Sequence, residues 1–209
     1  MNRTIVHFSC GAASAVAAKL VIAADHGAEI INAYIEREDQ DNRRFLADVE
    51  KWIGRTITVL RDTKYNADPD EVWKRKRFMV SQHGAPCSRE LKRKLLDAYR
   101  NAEDTVAIGF TADETDRADS FRERFPQIRL STPLIEHGLK KEDCLAMIQR
   151  AGILLPQAYR DGFENANCIG CPKGGMGYWN KVRLVRPQRF AEVMAIQEDI
   201  GEGAYFFRD

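Results

Sequence analysis

Two sets of side chains in this 209-residue sequence have the types and spacing that chemistry needs. The first is Ser9-Cys10-Gly11-Ala12-Ala13-Ser14, in which every residue is small and two carry hydroxyls. A backbone that must come close to an anion needs small side chains, and the free N–H groups and partial positive charge of a helix amino end suit phosphate. The second set is cysteine. Cys168-x-x-Cys171 has the spacing with which two thiolates grip one metal or cluster from a tight turn, inside a glycine-punctuated stretch. Cys87 follows Ala85-Pro86 in a loop and supplies a third candidate ligand. Zinc held by these three with His83 is one reading; a cluster is another, and an unligated pair a third. Cys144 shares a helical face with Ile148 and reads as core. Cys10 is either a small apolar substitute at the turn or a thiol whose pKa falls at a helix end. His7 reads as a packed strand histidine.

The elements that must position these groups alternate along the chain. Strand-like β-branched runs at Arg3–Phe8, Glu29–Ile35, Thr56–Leu60, Thr105–Phe110 and Ile128–Leu134 are separated by helical patterns. The helices are expected over Ser14–Asp25, Gln40–Ile53, Asp70–Val80, Ser88–Arg100, Ala112–Arg124, Lys140–Ala151 and Gln188–Ile200, with Asn165–Tyr178 as a wrapped loop. Such alternation is the sign of an α/β fold, a parallel sheet with helices on both faces. The first strand, small-residue turn and helix form one unit, so the turn falls at the carboxyl end of a strand, where such folds bind ligands.

The turn Phe8-Ser9-Cys10-Gly11-Ala12-Ala13-Ser14 resembles the PP-loop, usually Ser-Gly-Gly-x-Asp-Ser, of the adenine nucleotide α-hydrolase superfamily. Three later stretches follow in the order of the phosphoadenosine phosphosulfate (PAPS) reductase family. Pro86-Cys87-Ser88-Arg89-Glu90-Leu91-Lys92 is similar to its cysteine motif. Gly109-Phe110-Thr111-Ala112-Asp113-Glu114-Thr115-Asp116-Arg117 is similar to Gly-x-Arg-x-x-Glu-x-x-Arg, and Asn167-Cys168-Ile169-Gly170-Cys171 to its second cysteine pair. The resemblance implies a Rossmann-like sheet and an ATP or PAPS-like nucleotide whose phosphates lie on Ser9, Cys10, Gly11, Ala12, Ala13 and Ser14, with Mg2+ as a candidate companion. It implies adenine near Tyr34, Ile35 and Glu36, further nucleotide contacts from Gly109, Phe110 and Thr111, and active roles for Ser9, Ser14, Glu114 and Arg117. It also implies that Cys87, Cys168 and Cys171 hold a [4Fe–4S] cluster, with zinc as the alternative.

The activity implied is that of a transferase: ATP-dependent activation of a nucleotide or nucleic-acid substrate, coupled to sulfur transfer from a sulfur or thiol donor. Two alternatives stand beside it, a sulfonucleotide oxidoreductase and a binding module with structural zinc and no turnover. The chain departs from the family at Cys10 (Gly), Ala13 (Asp), Thr111 (Arg) and Pro86, where a fourth cysteine would stand. There is no Cys after Cys171, so a reductase would need Cys10 or an external thiol as its nucleophile.

Composition sets the frame. A chain with 44% apolar residues can bury a full core, expected as a nucleotide-binding domain over 1–155 with the cysteine segment 156–209 packed on it rather than independent. The formal net charge of +1 selects no partner, but the basic stretches 74–94 and 173–189 could meet phosphates or nucleic acid. Trp179 and Tyr178 could stack on a base or pack under the loop. No window approaches the roughly 20 apolar residues of a membrane span, and no leader is recognised, so a cytoplasmic location is expected. Oligomeric assembly is left open.

Overall fold

The computed structural model of the chain describes residues 3–204; residues 1–2 and 205–209, at the outer ends of the two expected segments, lie outside the described residues. Strand β1 (Thr4–His7) leads through a turn into helix α1 (Ala12–Ala24), then β2 (Glu29–Ala33), α2 (Asp41–Ile53) and β3 (Thr58–Leu60). Helix α3 (Pro69–Lys76) follows, and then a π-helical segment, Ser88–Arg93, that runs on as α4 (Lys94–Tyr99). Strand β4 (Thr105–Ala107), a 3-10 turn at Ala112–Glu114, α5 (Thr115–Arg124) and β5 (Arg129–Ser131) complete the sheet. The last elements are α6 (Pro133–Glu136), α7 (Lys141–Arg150), α8 (Gln157–Arg160), α9 (Met176–Val185), α10 (Pro187–Ile200) and a 3-10 turn at Glu202–Ala204.

All five strands are parallel, in the order β3-β2-β1-β4-β5. Their centre reads as continuous apolar sequence because helices cover both faces. On one face Val6, Phe8 and Ile30 meet α1, the Phe45 and Val49 side of α2, and Cys144 and Ile148 of α7 in a single core. The π-helix and α4 lie against the other face, with α4 touching β2. A second core joins Trp73 of α3 to Phe163 and to Trp179, Val182, Val193 and Ile196 of α9 and α10, so the cysteine segment shares its interior with the body of the fold. After β3 the chain returns across the sheet to put β4 beside β1. The order therefore reverses between these two strands and opens a crevice at their carboxyl ends, the usual binding position in such sheets.

The differences from the sequence pattern lie mostly at that edge. β1, β2 and β4 are shorter than their apolar runs at the carboxyl end: Phe8, Tyr34 and Ile108 each make one last backbone bond to the neighbouring strand, and the chain beyond them builds the loops that carry the site. The segment Ser88–Arg93 winds as a π-helix rather than an α-helix. α9 lies where the glycines of 170–177 argue for loop. Its helix is secured by Trp179 and Val182, three residues apart and both buried.

Candidate functional site

The chain from Ser9 to Ser14 bends sharply at Cys10, which takes a left-handed backbone conformation (φ 58°) with no exposed surface. Glycine adopts this geometry freely and other residues at a cost of about 1–2 kcal/mol. Asn32, buried on β2, braces the bend by donating to the Phe8 carbonyl (2.9 Å) and to Cys10 Sγ (3.6 Å). Burial, with the Glu38 carboxylate adding to it, pushes the Cys10 thiol up to about 12. Cys10 is thus the small apolar substitute of the two sequence readings, and the lowered thiol pKa is corrected: desolvation outweighs the helix end.

Ser14 Oγ holds the turn together. It accepts from Ser9 N–H (3.1 Å) and Ser9 Oγ (3.3 Å) and donates to the Gly11 carbonyl (2.9 Å). The N–H groups of Gly11, Ala13 and Ser14 have no acceptor among the described residues, and these three residues face a cavity. Gly109, after β4, backs this turn so closely that a Cβ there would stand 3.0 Å from Ala13 C and O and Ser14 Cα.

The cavity spans the crevice and has a volume of about 1200 Å³. Its lining includes Ser9, Gly11, Ala13 and Ser14 of the turn, Gly109, Phe110 and Thr111 after β4, and Cys87, Cys168 and Cys171. Residues 160 positions apart in sequence therefore face one volume. Of the residues expected around adenine, Ile35 lines the cavity. Tyr34 and Glu36 do not: Tyr34 lies between the guanidinium groups of Arg43 (3.8 Å) and Arg61 (4.5 Å) and donates to Glu36, itself paired with Arg61. Cys10 and Ala12 are buried and do not line the cavity. Glu114 and Arg117 reach the rim but are engaged with each other, and Glu114 also accepts from Thr111 N–H and Oγ1 (3.1 Å each). Thr111, where the family has arginine, caps the 3-10 turn.

The cysteine wall is tightly supported. Tyr178 Oη accepts from the N–H groups of Gly170 (2.8 Å) and Cys171 (3.1 Å) and donates to the Cys168 carbonyl (2.8 Å). Ile169 N–H donates to the Arg37 carbonyl (2.8 Å) and its own carbonyl accepts from Arg189 Nε (3.0 Å). Arg189 in turn forms a two-pronged pair with buried Asp70 (2.6 and 2.7 Å), which also meets Arg37 (2.9 Å). Gly170 has φ 79°, and a Cβ on it would strike Val193 Cγ2 at 2.9 Å.

The charges around the thiols have definite partners. Burial pushes the Cys168 thiol up to about 12, opposed by Lys92; burial also raises Cys87, opposed by the Trp73 indole. Trp73 Nε1, buried near the Cys87 sulfur, has no hydrogen-bond partner among the described residues. Lys92 pairs with buried Glu38 (3.0 Å) yet opens onto the cavity. Burial works against its cation, but Glu38 and the nearby Cys168 and Cys171 raise its pKa above the usual lysine value. The i→i+5 winding of the π-helix brings Cys87 and Lys92, five residues apart, to the same cavity; such segments recur at functional sites.

No group of three or more His, Cys, Asp or Glu among the described residues is placed to hold a single metal ion. Thiolates 2.3 Å from one zinc would lie ~3.8 Å apart. His83, the candidate fourth zinc ligand, is exposed beside Gln82 and does not line the cavity. Cys87, Cys168 and Cys171 face one cavity, and the Lys92 cation acts on Cys168 and Cys171. Of the basic stretches, in 74–94 Arg75 pairs with Glu71, Arg77 with Asp199 and Lys92 with Glu38, while Lys76, Arg89 and Lys94 share Glu90. In 173–189, Arg186 and Arg189 are paired, while Lys173 and Lys181 face the cavity. Sequence reasoning missed Tyr159, and it offered Tyr178 as a stacking or packing aromatic rather than as the hydroxyl that braces Cys168–Cys171.

Fold and site together define a doubly wound α/β protein with a small-residue strand-to-helix turn and three cysteines on one crevice. No known family model matches the sequence, and no curated protein matches it. Among solved structures the chain is similar to the U34-tRNA thiolase NcsA from Methanococcus maripaludis with its [4Fe-4S] cluster, at 12% identity and a TM-score of 0.49, over 95% of this chain and 72% of that one. No described helix is long and apolar enough to cross a membrane.

Proposed function

We propose that this protein is a PP-loop enzyme that binds ATP on the Ser9–Ser14 turn and activates a nucleotide or nucleic-acid substrate for sulfur transfer. The observation that carries this reading is the single cavity on which the turn and Cys87, Cys168 and Cys171 both open. Activation by adenylation makes a substrate oxygen into a leaving group, and sulfur must then arrive at the same carbon, so the nucleotide and the sulfur source have to share one volume.

In this reading the N–H groups of Gly11, Ala13 and Ser14 hold phosphate oxygens, while Lys92, Lys173 and Lys181 neutralise charge across the cavity. Ile35 and Phe110 give the base an apolar surface. Cys87, Cys168 and Cys171 would hold a [4Fe–4S] cluster, which when bound offers an iron without a protein ligand, where sulfide can be carried. Ala13 leaves the turn without a carboxylate, so metal ions accompanying the phosphates would be held by the nucleotide. A sulfonucleotide reductase working through Cys10 is disfavoured by that thiol's burial and high pKa. The test is pyrophosphate release from ATP by protein prepared without oxygen, with iron, sulfide and zinc assayed in the same sample. About four irons per chain and release that depends on Gly11 support the reading. One tightly held zinc and no release would replace it with a binding module.

A further inference from the structure

Tyr159 lies in the single turn of α8, 147 residues from the phosphate loop, and its hydroxyl meets that loop. Ala12 N–H, at the first position of α1, donates to Tyr159 Oη at 3.3 Å, and a Cβ on Gly11 would stand 3.3 Å from the same oxygen. The ring is half-buried against both the main core and the α9–α10 core, and it lines the cavity. Its position is set from outside the cavity. Asp41, the first residue of α2, accepts from Gln157 N–H (2.9 Å) and pairs with Arg160 (3.3 Å), fixing both ends of the turn that carries Tyr159.

The hydroxyl is an acceptor in the Ala12 contact, and a second backbone N–H, that of Ala166, also acts on it. Its own proton has no acceptor among the described residues. Beside it are the N–H groups of Gly11, Ala13 and Ser14, also without acceptors. Four donors thus line one cavity with no acceptor among the described residues, a concentration of unmatched donors that an anion would resolve.

We propose that the Tyr159 hydroxyl is a phosphate-binding group, donating to an oxygen of the anion held at Ser9–Ser14. The proposal rests on the reading of that turn as the phosphate loop. It assigns α8 a function: the segment leading to Cys168 adds one donor to the nucleotide site through one side chain.

Titration calorimetry with ATP and with adenosine tests this on three proteins: the unmodified chain, Tyr159→Phe and Ser14→Ala. Phenylalanine keeps the ring and its packing. Tyr159→Phe should weaken ATP about tenfold or more, the size of a hydrogen bond to a charged group, and leave adenosine unchanged. Unchanged or tighter ATP binding by Tyr159→Phe, with ATP weakened by Ser14→Ala, overturns the proposal and leaves the loop standing. ATP unaffected by either change overturns both. Should Tyr159→Phe fail to fold, 3-fluorotyrosine at position 159 serves instead. Its 19F resonance should move with ATP but not with adenosine, and no movement at saturating ATP overturns the proposal.

Discussion

Removing one hydroxyl, in Tyr178→Phe, should loosen the cysteine wall without disturbing the core beneath it. The ring contacts with Phe163 (centroids 5.5 Å apart) and Trp179 (5.7 Å) survive the change. What is lost are three hydrogen bonds to the backbone of Cys168, Gly170 and Cys171. At about 1 kcal/mol net for each, the full loss is about 3 kcal/mol. Water entering from the cavity restores part of it, so about 2 kcal/mol is expected in the midpoint of urea unfolding of metal-free protein. The local effect should exceed the global one. Cys168 and Cys171 should be alkylated faster, and any metal or cluster they hold should be released 10- to 100-fold more readily, as when the supporting partners of metal ligands are removed. The reasoning is refuted if the variant matches the unmodified chain in both urea midpoint and alkylation rate at these two cysteines.

Gly170→Ala combines an unfavourable φ with a Cβ 2.9 Å from Val193 Cγ2, and should cost about 2–4 kcal/mol in urea unfolding. In native protein at pH 8, Cys10 should resist iodoacetamide, because burial holds its thiol near 12; mass spectrometry showing rapid modification there would contradict its placement. Asp41 is held down to about 2, first by its hydrogen bond with Arg44, then by Gln157 and Arg160. A carboxylate depressed in the folded state contributes fully above its unfolded value and loses that contribution as pH falls through the folded one. Asp41→Asn should therefore cost about 2 kcal/mol at pH 7, with the difference fading between about pH 4 and pH 2, measured by urea unfolding across that range.

Much of this architecture was legible because it rests on local pattern. The strands show as β-branched runs, and the Ser9–Ser14 turn as small residues between a strand and a helix. Gly109 was expected within the strand Thr105–Phe110, whereas the strand ends at Ala107 and the glycine's reason, contact with the backbone of Ala13 and Ser14, lies across the sheet. What was illegible depends on partners far apart in sequence. In the basic run 74–94, the pairing of Lys92 with Glu38 and of Arg77 with Asp199 joins residues 54 and 122 positions apart. α9 was hidden by its preceding glycines, whose roles are tertiary: a Cβ at Gly174 would overlap the Tyr178 ring, 2.1 Å from Cδ1. Tyr159 and Tyr178 carry no motif; each matters because one oxygen meets a backbone brought to it by the fold. Cys10 shows the converse. Its residue type and its helix end both point to reactivity, and only burial reverses that.

The central claim is that nucleotide phosphates and the three thiols occupy one crevice. A crystal structure of protein prepared without oxygen and bound to a non-hydrolysable ATP analogue tests it most directly. The account predicts the phosphates on Gly11, Ala13, Ser14 and Tyr159 Oη, in the same cavity that Cys87, Cys168 and Cys171 face. Phosphates bound anywhere else, or a crevice that leaves the thiols outside the nucleotide's cavity, would contradict it.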